Sequence, residues 1–393
     1  MHFDIDDIRA RLQASTPMEA YDTGAALRAL ARPRMSGTDA AAEVRADVRE
    51  RLEGLDYRVE AMPFRFSAWP GRFALPAAGV LLLLGIVGAT VLLATDLALT
   101  ALVVLLLAGA LVGGVAYAAP RLVDRLPWGR VEGENLLAQP AGQRPRWLVL
   151  AHVDTKSQLL PLSLRAIGPV TGVLAWLVLV VLSALAAAGL GVPGWLLWVT
   201  AAAAAGGSLL TALSWASNAS PGALDNASGV AALLAVAARE RAAGDVAFLI
   251  TDGEELGLCG ARAAAGDLPR VAGAVNLDGL DDHGTLYVVE RFGWPRRGLA
   301  AHLAVAVMSA ATAMDEPVRR RDLPLGMYLD HIALARAGIP AISLLRGDKA
   351  SVRRVHRPAD DVSHLDGSGA ARVAEVVSVA LESLRVREAE LSR

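Results

Sequence analysis

Two long apolar blocks interrupt a chain that otherwise carries charge at ordinary density. Between Phe73 and Ala119 the only charged residue is Asp96, and between Ala166 and Leu224 there is none. Each block is long enough for two crossings, since about 20 apolar residues span the hydrocarbon core of a bilayer. The pattern therefore predicts four transmembrane helices in two hairpins, over residues 73–94, 97–119, 166–190 and 195–216.

The charges beside these blocks predict an orientation for the polar part of the chain. Arginine and lysine residues flank the spans on the side of the polar segments, whereas the turns near Asp96 and Pro193 carry neither. By the positive-inside rule, the polar domain is expected in the cytoplasm. The first residues lack the pattern of a secretory signal peptide. We therefore expect an integral membrane protein with four spans, with the lipid bilayer as a partner.

The remaining residues predict alternating helices and strands. Helices are expected over 39–55, 227–243, 299–313, 331–337 and 369–388, and strands over 57–66, 147–151, 246–251, 274–277, 286–289 and 339–345. Strands that alternate with helices indicate an α/β fold with a mixed, largely parallel sheet. In such folds, ligands bind at the carboxyl ends of the strands.

Composition excludes several classes of protein. Hydrophobic residues make up 54% and charged residues 20% of the chain, which argues against a disordered protein. The formal net charge of -2 gives no reason to expect a nucleic acid as partner. A transporter is poorly supported, because the predicted spans contain no ionisable residue. The single cysteine, Cys259, excludes an internal disulfide.

Histidine and carboxylate side chains collect around the predicted strand ends. Seven residues form this set: His152, Asp154, Asp225, Glu254, Glu255, Asp278 and His356. Taken alone, each has an ordinary structural explanation; Asp225, for example, suits a helix N-cap. Together, two histidines and several carboxylates indicate a site for a divalent metal such as zinc.

The order of these motifs resembles that of the dizinc aminopeptidases of metallopeptidase family twenty-eight. The resemblance rests on residues 152–154, 222–229, 254–260, 276–278 and 356–360, and more weakly on 36–38 and 329–341. It implies an α/β/α sandwich of the zinc-exopeptidase fold into which the two transmembrane hairpins are inserted. The expected organisation is then a peptidase domain made of residues 1–72, 120–165 and 217–393, with hairpins at 73–119 and 166–216.

The resemblance also implies a metal centre with two Zn²⁺ ions. His152 and Asp278 would hold one ion, Glu255 and His356 the other, and Asp225 would bridge them. Co²⁺ or Mn²⁺ could also fit these ligands. Because the second hairpin separates His152 from Asp225 in the sequence, we expect the active site close to the membrane face.

The implied function is that of a membrane-anchored, zinc-dependent exopeptidase, most closely an aminopeptidase acting on peptides. Glu254 would act as general base on the attacking water, and Asp154 would orient His152. Three alternatives stay open on the same scaffold: a glutaminyl cyclase-like activity, a carboxypeptidase activity, or a binding protein without catalysis.

Other candidate residues are expected to be structural. His2, His283, His302 and His364 lie outside any motif. The arginine run 319–321 is expected to be solvated surface, with a contact to lipid headgroups or substrate as the alternative. His331 matches a family position that is not a ligand position, so a structural role is favoured over a contact with substrate.

Overall fold

A computed structural model describes residues 3–14 and 21–391; His2 therefore lies outside the described residues. The chain divides into two compact units. Unit 1 comprises Met1–Arg65, Val131–Lys156 and Asn218–Arg393, and unit 2 comprises Phe66–Arg130 and Ser157–Ser217. Each unit is thus assembled from segments that are separated in the sequence.

The helices and strands have the following bounds in chain order. The helices are α1 (Ile5–Ala14), α2 (Thr23–Leu30), α3 (Asp39–Glu53), α4 (Ala68–Ala94), α5 (Ala98–Leu122), α6 (Leu162–Ala187), α7 (Gly194–Ala212), α8 (Ser228–Glu240), α9 (Cys259–Ala264), α10 (Ala301–Ala313), α11 (His331–Arg336), α12 (Lys349–Arg354) and α13 (Ser368–Leu391). The strands are β1 (Tyr57–Ser67), β2 (Arg130–Pro140), β3 (Trp147–His152), β4 (Ser157–Gln158), β5 (Ala216–Ser217), β6 (Val246–Thr251), β7 (Gly273–Leu280), β8 (Thr285–Val289), β9 (Val318–Arg321) and β10 (Ala341–Gly347).

One sheet of eight strands organises unit 1, in the order β1-β2-β6-β3-β7-β10-β8-β9. Its centre is parallel, since β3 pairs with β6 and β7, and β10 also pairs with β7 in parallel. Toward the edges, β2 runs antiparallel to β6 and β8 runs antiparallel to β10. The prediction of a mixed, largely parallel sheet is therefore confirmed.

The residues of β3 show why this sheet carries helices on both faces. Successive side chains of a strand point to opposite faces. Val149 and Ala151 pack into a large core shared with α8, α10 and α13, whereas Leu148 and Leu150 pack into a second core shared with α9 and α11. Because every residue of β3 is buried, residues 147–151 are all apolar and do not alternate with polar residues.

Unit 2 contains four helices that are long and apolar enough to cross a membrane: α4, α5, α6 and α7. Small residues let α6 and α7 approach closely, as in membrane helix pairs. A Cβ at Gly207 would lie 2.3 Å from the backbone nitrogen of Gly172 and 2.7 Å from the carbonyl oxygen of Gly168. The predicted helical hairpins are thus present, with starts and ends shifted by a few residues.

Four strands were not expected from the sequence: β2, β9 and the two-residue strands β4 and β5, which pair with each other. β2 contains three polar residues and Gly133 within its first half, so its pattern does not stand out as a strand. β9 is the edge strand that contains the arginine run 319–321, and its arginine side chains are exposed. The expectation of a solvated surface there describes the side chains correctly but misses the backbone pairing with β8.

Candidate metal centre

The loops after the central strands place the candidate ligands of unit 1. His152 is the last residue of β3, and Glu254 and Glu255 follow the end of β6 at Thr251. Asp278 lies in β7, two residues before the strand ends. Because these strands are parallel neighbours, their side chains meet at the carboxyl ends of the strands.

Asp225 and His356 reach the same place from irregular segments. Asp225 was expected to open a helix, but it lies in a single π-helical turn, Ala223–Ala227, with a non-helical backbone. His356 follows α12 with a left-handed backbone, at φ 62°. Regular periodicity predicts neither conformation, which is why the sequence located these residues only through their motifs.

One group of potential metal ligands consists of His152, Asp225 and Asp278. The Nε2 atom of His152 lies 3.2 Å from Oδ1 of Asp225 and 3.8 Å from Oδ2 of Asp278. All three residues are buried, with one potential ligand atom from each lying within 4.8 Å of the others. This trio is the set that the family resemblance implied for the first metal.

A second group consists of Asp225, Glu255 and His356. The Nε2 atom of His356 lies 3.0 Å from Oδ2 of Asp225 and 3.1 Å from Oε2 of Glu255. Asp225 thus turns one carboxylate oxygen to each histidine. The two groups share this one residue, which is the arrangement that a bridging ligand requires.

The residues fit divalent metal ions by distance and by chemistry. Zinc bonds of about 2.0–2.1 Å in a tetrahedron separate neighbouring ligand atoms by about 3.3 Å, close to the separations observed here. Oε1 of Glu255 and Oδ2 of Asp278 are buried and have no hydrogen-bond partner among the described residues. Buried carboxylates without donors are costly unless a cation neutralises them. The donor set therefore suits one or two divalent cations.

The orientation of His152 supports the same conclusion. Its Nδ1 atom lies 3.1 Å from the backbone carbonyl oxygen of Asp154, so Nδ1–H can donate to that oxygen. Nε2 then presents its lone pair to the carboxylates of Asp225 and Asp278, as a metal-binding imidazole does. The sequence assigned this orienting role to the side chain of Asp154. The carboxylate oxygen Oδ1 of Asp154 is farther away, at 3.7 Å from Nδ1.

The carboxylate of Asp154 instead holds the loop that carries the two glutamates. Oδ1 accepts the backbone N–H of Glu254 at 3.1 Å, and Oδ2 accepts the backbone N–H of Glu255 at 3.2 Å. Asp154 is fully buried, so these are strong, charge-assisted contacts. Asp154 therefore fixes Glu254 and Glu255 through their backbone while its own carbonyl orients His152.

Burial and neighbouring charges set the protonation of Asp225 and Glu255. Burial opposes ionisation of Asp225, but His152 and His356 hold its pKa well below the ordinary value. Burial also opposes ionisation of Glu255, yet His356 and Lys156 lower its pKa to about 2. Both groups are therefore ionised at neutral pH, the form in which a carboxylate binds metal.

Glu254 differs from Glu255 in its electrostatic surroundings. Burial raises the pKa of Glu254 well above the ordinary value, and the nearby carboxylates of Glu255, Asp278 and Asp330 raise it further, against the opposing charge of His152. Glu254 belongs to neither group of potential ligands. A carboxylate with a raised pKa that is not a ligand suits a general base.

Several contacts at the site were not anticipated from the sequence. Lys156 was not singled out from the sequence as a site residue, but its Nζ lies 2.7 Å from Oε2 of Glu255. Asp360 accepts the backbone N–H groups of Leu224 and Asp225 at 2.7 and 3.1 Å, and so holds the loop of the shared carboxylate. Asp360 belongs to the motif at residues 356–360, and this position was the sequence signal that could have identified it as a site residue.

Arg34 is a further unanticipated residue. Its guanidinium is fully buried and donates to the carbonyl oxygens of Val153 at 2.5 Å, Pro221 at 2.6 Å and Gly222 at 3.1 Å. These carbonyls lie on the two segments that carry His152 and Asp225. Burial lowers the pKa of Arg34 to about 10, while neighbouring carboxylates, Asp360 first, oppose that shift. Arg34 is thus a buried cation that joins the two segments.

Among the residues that the structure describes, the remaining histidines lie outside both groups of potential ligands. His331 is fully buried; its Nδ1 lies 2.7 Å from Oγ of Ser343, and its ring packs edge-on against Phe292. Burial lowers the pKa of His331 to about 3, so the ring is neutral. His331 therefore has the contacts of a core residue, consistent with the structural role favoured for it.

Comparisons with known proteins show what this chain is similar to. A profile described as Peptidase family M28 matches residues 206–381, which include Asp225, Glu254, Glu255, Asp278 and His356. A comparison with curated proteins finds no match.

Solved structures show the same fold at low sequence identity. An aminopeptidase from Aneurinibacillus sp. strain AM-1 is 13% identical with a TM-score of 0.54, and the alignment covers 96% of this chain and 95% of that chain. A zinc aminopeptidase from Bacillus subtilis is 14% identical with a TM-score of 0.55, covering 94% of this chain and 96% of that chain. A glutaminyl cyclase from Fimbriiglobus ruber is 17% identical with a TM-score of 0.56 and the same coverage.

In motif order, in the match to residues 206–381 and in fold, this chain resembles the zinc aminopeptidases of peptidase family M28 and carries four apolar helices in addition.

Proposed function

We propose that this protein is a membrane-anchored, zinc-dependent exopeptidase that removes N-terminal residues from peptides. The observation that carries the proposal is the carboxylate of Asp225, which turns one oxygen to His152 and the other to His356. A carboxylate shared in this way suits two metal ions that act on one bond. The match to peptidase family M28 supports hydrolysis as the reaction class.

Five residues would hold two zinc ions in this proposal. His152 and Asp278 would bind the first ion, Glu255 and His356 the second, and Asp225 both. When bound, the ions would polarise the scissile carbonyl and lower the pKa of water at the site. The three ligand carboxylates, when ionised, would offset three of the four positive charges of two zinc ions.

Glu254 would move the proton in the reaction. Its carboxylate would accept a proton from the attacking water and deliver it to the departing amine nitrogen, which balances the hydrolysis of one peptide bond. Burial raises the pKa of Glu254 above the ordinary value, which increases the affinity of its carboxylate for the proton of the attacking water. Asp154 would keep this loop in place through the two backbone contacts.

We also propose that α4 to α7 span the membrane and that unit 1 lies in the cytoplasm. The four helices support the first statement by length and composition. The flanking arginines support the second through the positive-inside rule. An alkaline phosphatase fusion at the turn near Asp96 should be active if this orientation is correct. An inactive fusion there, together with an active fusion at the C-terminus, would contradict it.

The activity can be tested on detergent-purified protein. We expect hydrolysis of aminoacyl-arylamides by the wild type, loss of at least about 10²-fold in kcat for Glu254→Gln, and equal zinc content in both proteins. Asp361→Asn, at a half-buried carboxylate outside both groups of potential ligands, serves as the matched control and should retain full activity. A wild type that binds zinc but releases no arylamide would reject the aminopeptidase. Peptides with N-terminal glutamine and with blocked N-termini would then test for cyclase and carboxypeptidase activity.

A further inference from the structure

Two adjacent loops of unit 1 expose an unusual number of large apolar side chains. Trp294 is 84% exposed, Leu325 65% and Tyr328 58%, and Leu299 and Met327 are also exposed. We call these five residues the apolar patch. Scattered exposed apolar residues need no explanation, but several on adjoining loops indicate a binding surface.

The two loops are joined to each other. The backbone N–H of Leu323 donates to the carbonyl of Arg291 at 2.8 Å, and the Arg291 guanidinium donates to both carboxylate oxygens of Asp322 at 2.8 and 3.1 Å. Phe292 and Arg297 exchange two backbone hydrogen bonds of 3.0 Å, which close the turn that carries Trp294. The apolar patch is therefore held by backbone contacts and does not lie on free loops.

A buried cluster fixes these loops to the rest of unit 1. Phe292, Leu323 and Leu329 pack together with Leu258, which lies three residues after Glu255. Buried apolar residues thus hold these loops in place, and the five residues of the apolar patch take no part in that packing. Because these exposed side chains do not stabilise the loops, their exposure indicates a surface that contacts another molecule.

The charge around the patch indicates which partner it fits. Residues 290–299 and 318–328 contain six arginines and two acidic residues, whereas the whole chain has a net charge of -2. Asp322 accepts from Arg291, and Glu290 pairs with Arg320. The surface therefore combines tryptophan, leucine and tyrosine with an excess of arginine, which is typical of groups at a membrane interface.

We propose that the apolar patch and its arginines bind the surface of an anionic lipid bilayer. The proposal rests on the membrane anchoring proposed above, and it adds a peripheral contact made by unit 1 itself. A second copy of the chain fits less well, because two such surfaces would bring like charges together. A bilayer fits better, because it offers both an apolar layer for Trp294 and anionic headgroups for arginine. The first helix of unit 2 begins three residues after Arg65, so a short stretch of chain connects unit 1 to a proposed span.

The test uses the full chain in nanodiscs of phosphatidylcholine alone or mixed with phosphatidylglycerol. A fluorophore sensitive to polarity is attached to cysteine in Trp294→Cys and, separately, in Leu325→Cys, each on a Cys259→Ala background. We expect a blue-shifted emission and quenching by doxyl-labelled lipids, stronger with phosphatidylglycerol and weakened by salt. The label in Glu53→Cys, at the end of α3, is the matched control and should respond to neither lipid.

The paired substitutions Arg297→Glu and Arg319→Glu should remove the dependence on phosphatidylglycerol. The proposal would be overturned if the labels showed no emission shift in discs of either composition. It would also be overturned by an emission shift seen only when soluble peptide is added, because the apolar patch would then bind peptide and not lipid. A response that is equal in both lipids would overturn the role of the arginines. Failure of the chain to enter discs at all would instead refute the membrane anchoring, so the two failures are distinguishable.

Discussion

The carboxylate of Asp154 accepts the backbone N–H of Glu254 at 3.1 Å, so the motif that supplies the first histidine also holds the loop of the proposed base. Asp154→Ala should lower kcat by about 10²-fold, a typical loss for a group that supports metal ligands and catalytic residues. The measurement is arylamide hydrolysis, with zinc content determined on the same samples. Asp361→Asn should behave as wild type. Full activity in Asp154→Ala would show that the loop keeps its position without this contact.

The pH dependence of activity should reflect Glu254. A general base works only when deprotonated, so activity is lost as pH falls through its pKa. Burial, with the nearby carboxylates, raises that pKa well above the ordinary 4.5, so the acid limb of kcat/KM should lie at a higher pH than an unperturbed glutamate would give. Zinc content must be constant across the range measured. A profile that stays flat down to about pH 4.5 would contradict the assignment.

Arg34→Met should destabilise unit 1 by about 3 kcal/mol or more, because several buried carbonyl oxygens lose their donor at once. Among these are the oxygens of Val153 and Gly222, so zinc affinity should fall together with stability. Denaturant unfolding and zinc titration measure the two effects. Arg241→Met, at an exposed arginine, is the matched control. Unchanged stability in Arg34→Met would mean that water replaces the guanidinium at no cost.

Gly207→Leu should disrupt the packing of α6 against α7. Even a Cβ at this position would lie 2.3 Å from the backbone nitrogen of Gly172, so the helices must separate to accept a side chain. We expect lower thermal stability in detergent and a loss of monodisperse protein. Gly206→Leu is a close control, because a Cβ there meets nothing within 4 Å. Equal behaviour of the two variants would refute the close approach of these helices.

The sequence predicted the parts of the fold that have a strong local pattern. The four apolar helices, the buried strand β3 and the helix α3 capped by Thr38 each combine a long apolar or periodic run with a clear end signal. β2 and β9 escaped prediction because polar residues dominate the first half of β2 and most of β9, and because their pairing partners lie far along the chain.

In the candidate site, the sequence located the residues that belong to motifs but not the contacts between separate segments. Motif order indicated that His152 and Asp225 belong together, and the structure places Nε2 of His152 3.2 Å from Oδ1 of Asp225. The contacts of Lys156 and Arg34 depend on where separate segments meet, so no local pattern could reveal them. For Asp154, the expected contact of the carboxylate with His152 is made by its backbone carbonyl instead.

The order in which strands pair has a consequence for the synthesis of this protein. β3 emerges from the ribosome before the second helical hairpin, yet both of its neighbours, β6 and β7, are encoded after that hairpin. Until residues 246–280 have been translated, β3 is an unpaired apolar strand, the kind of segment that is prone to aggregation. The second hairpin is therefore synthesised before the sheet can close. Because His356 is translated later still, the metal centre is complete only after both hairpins have been made.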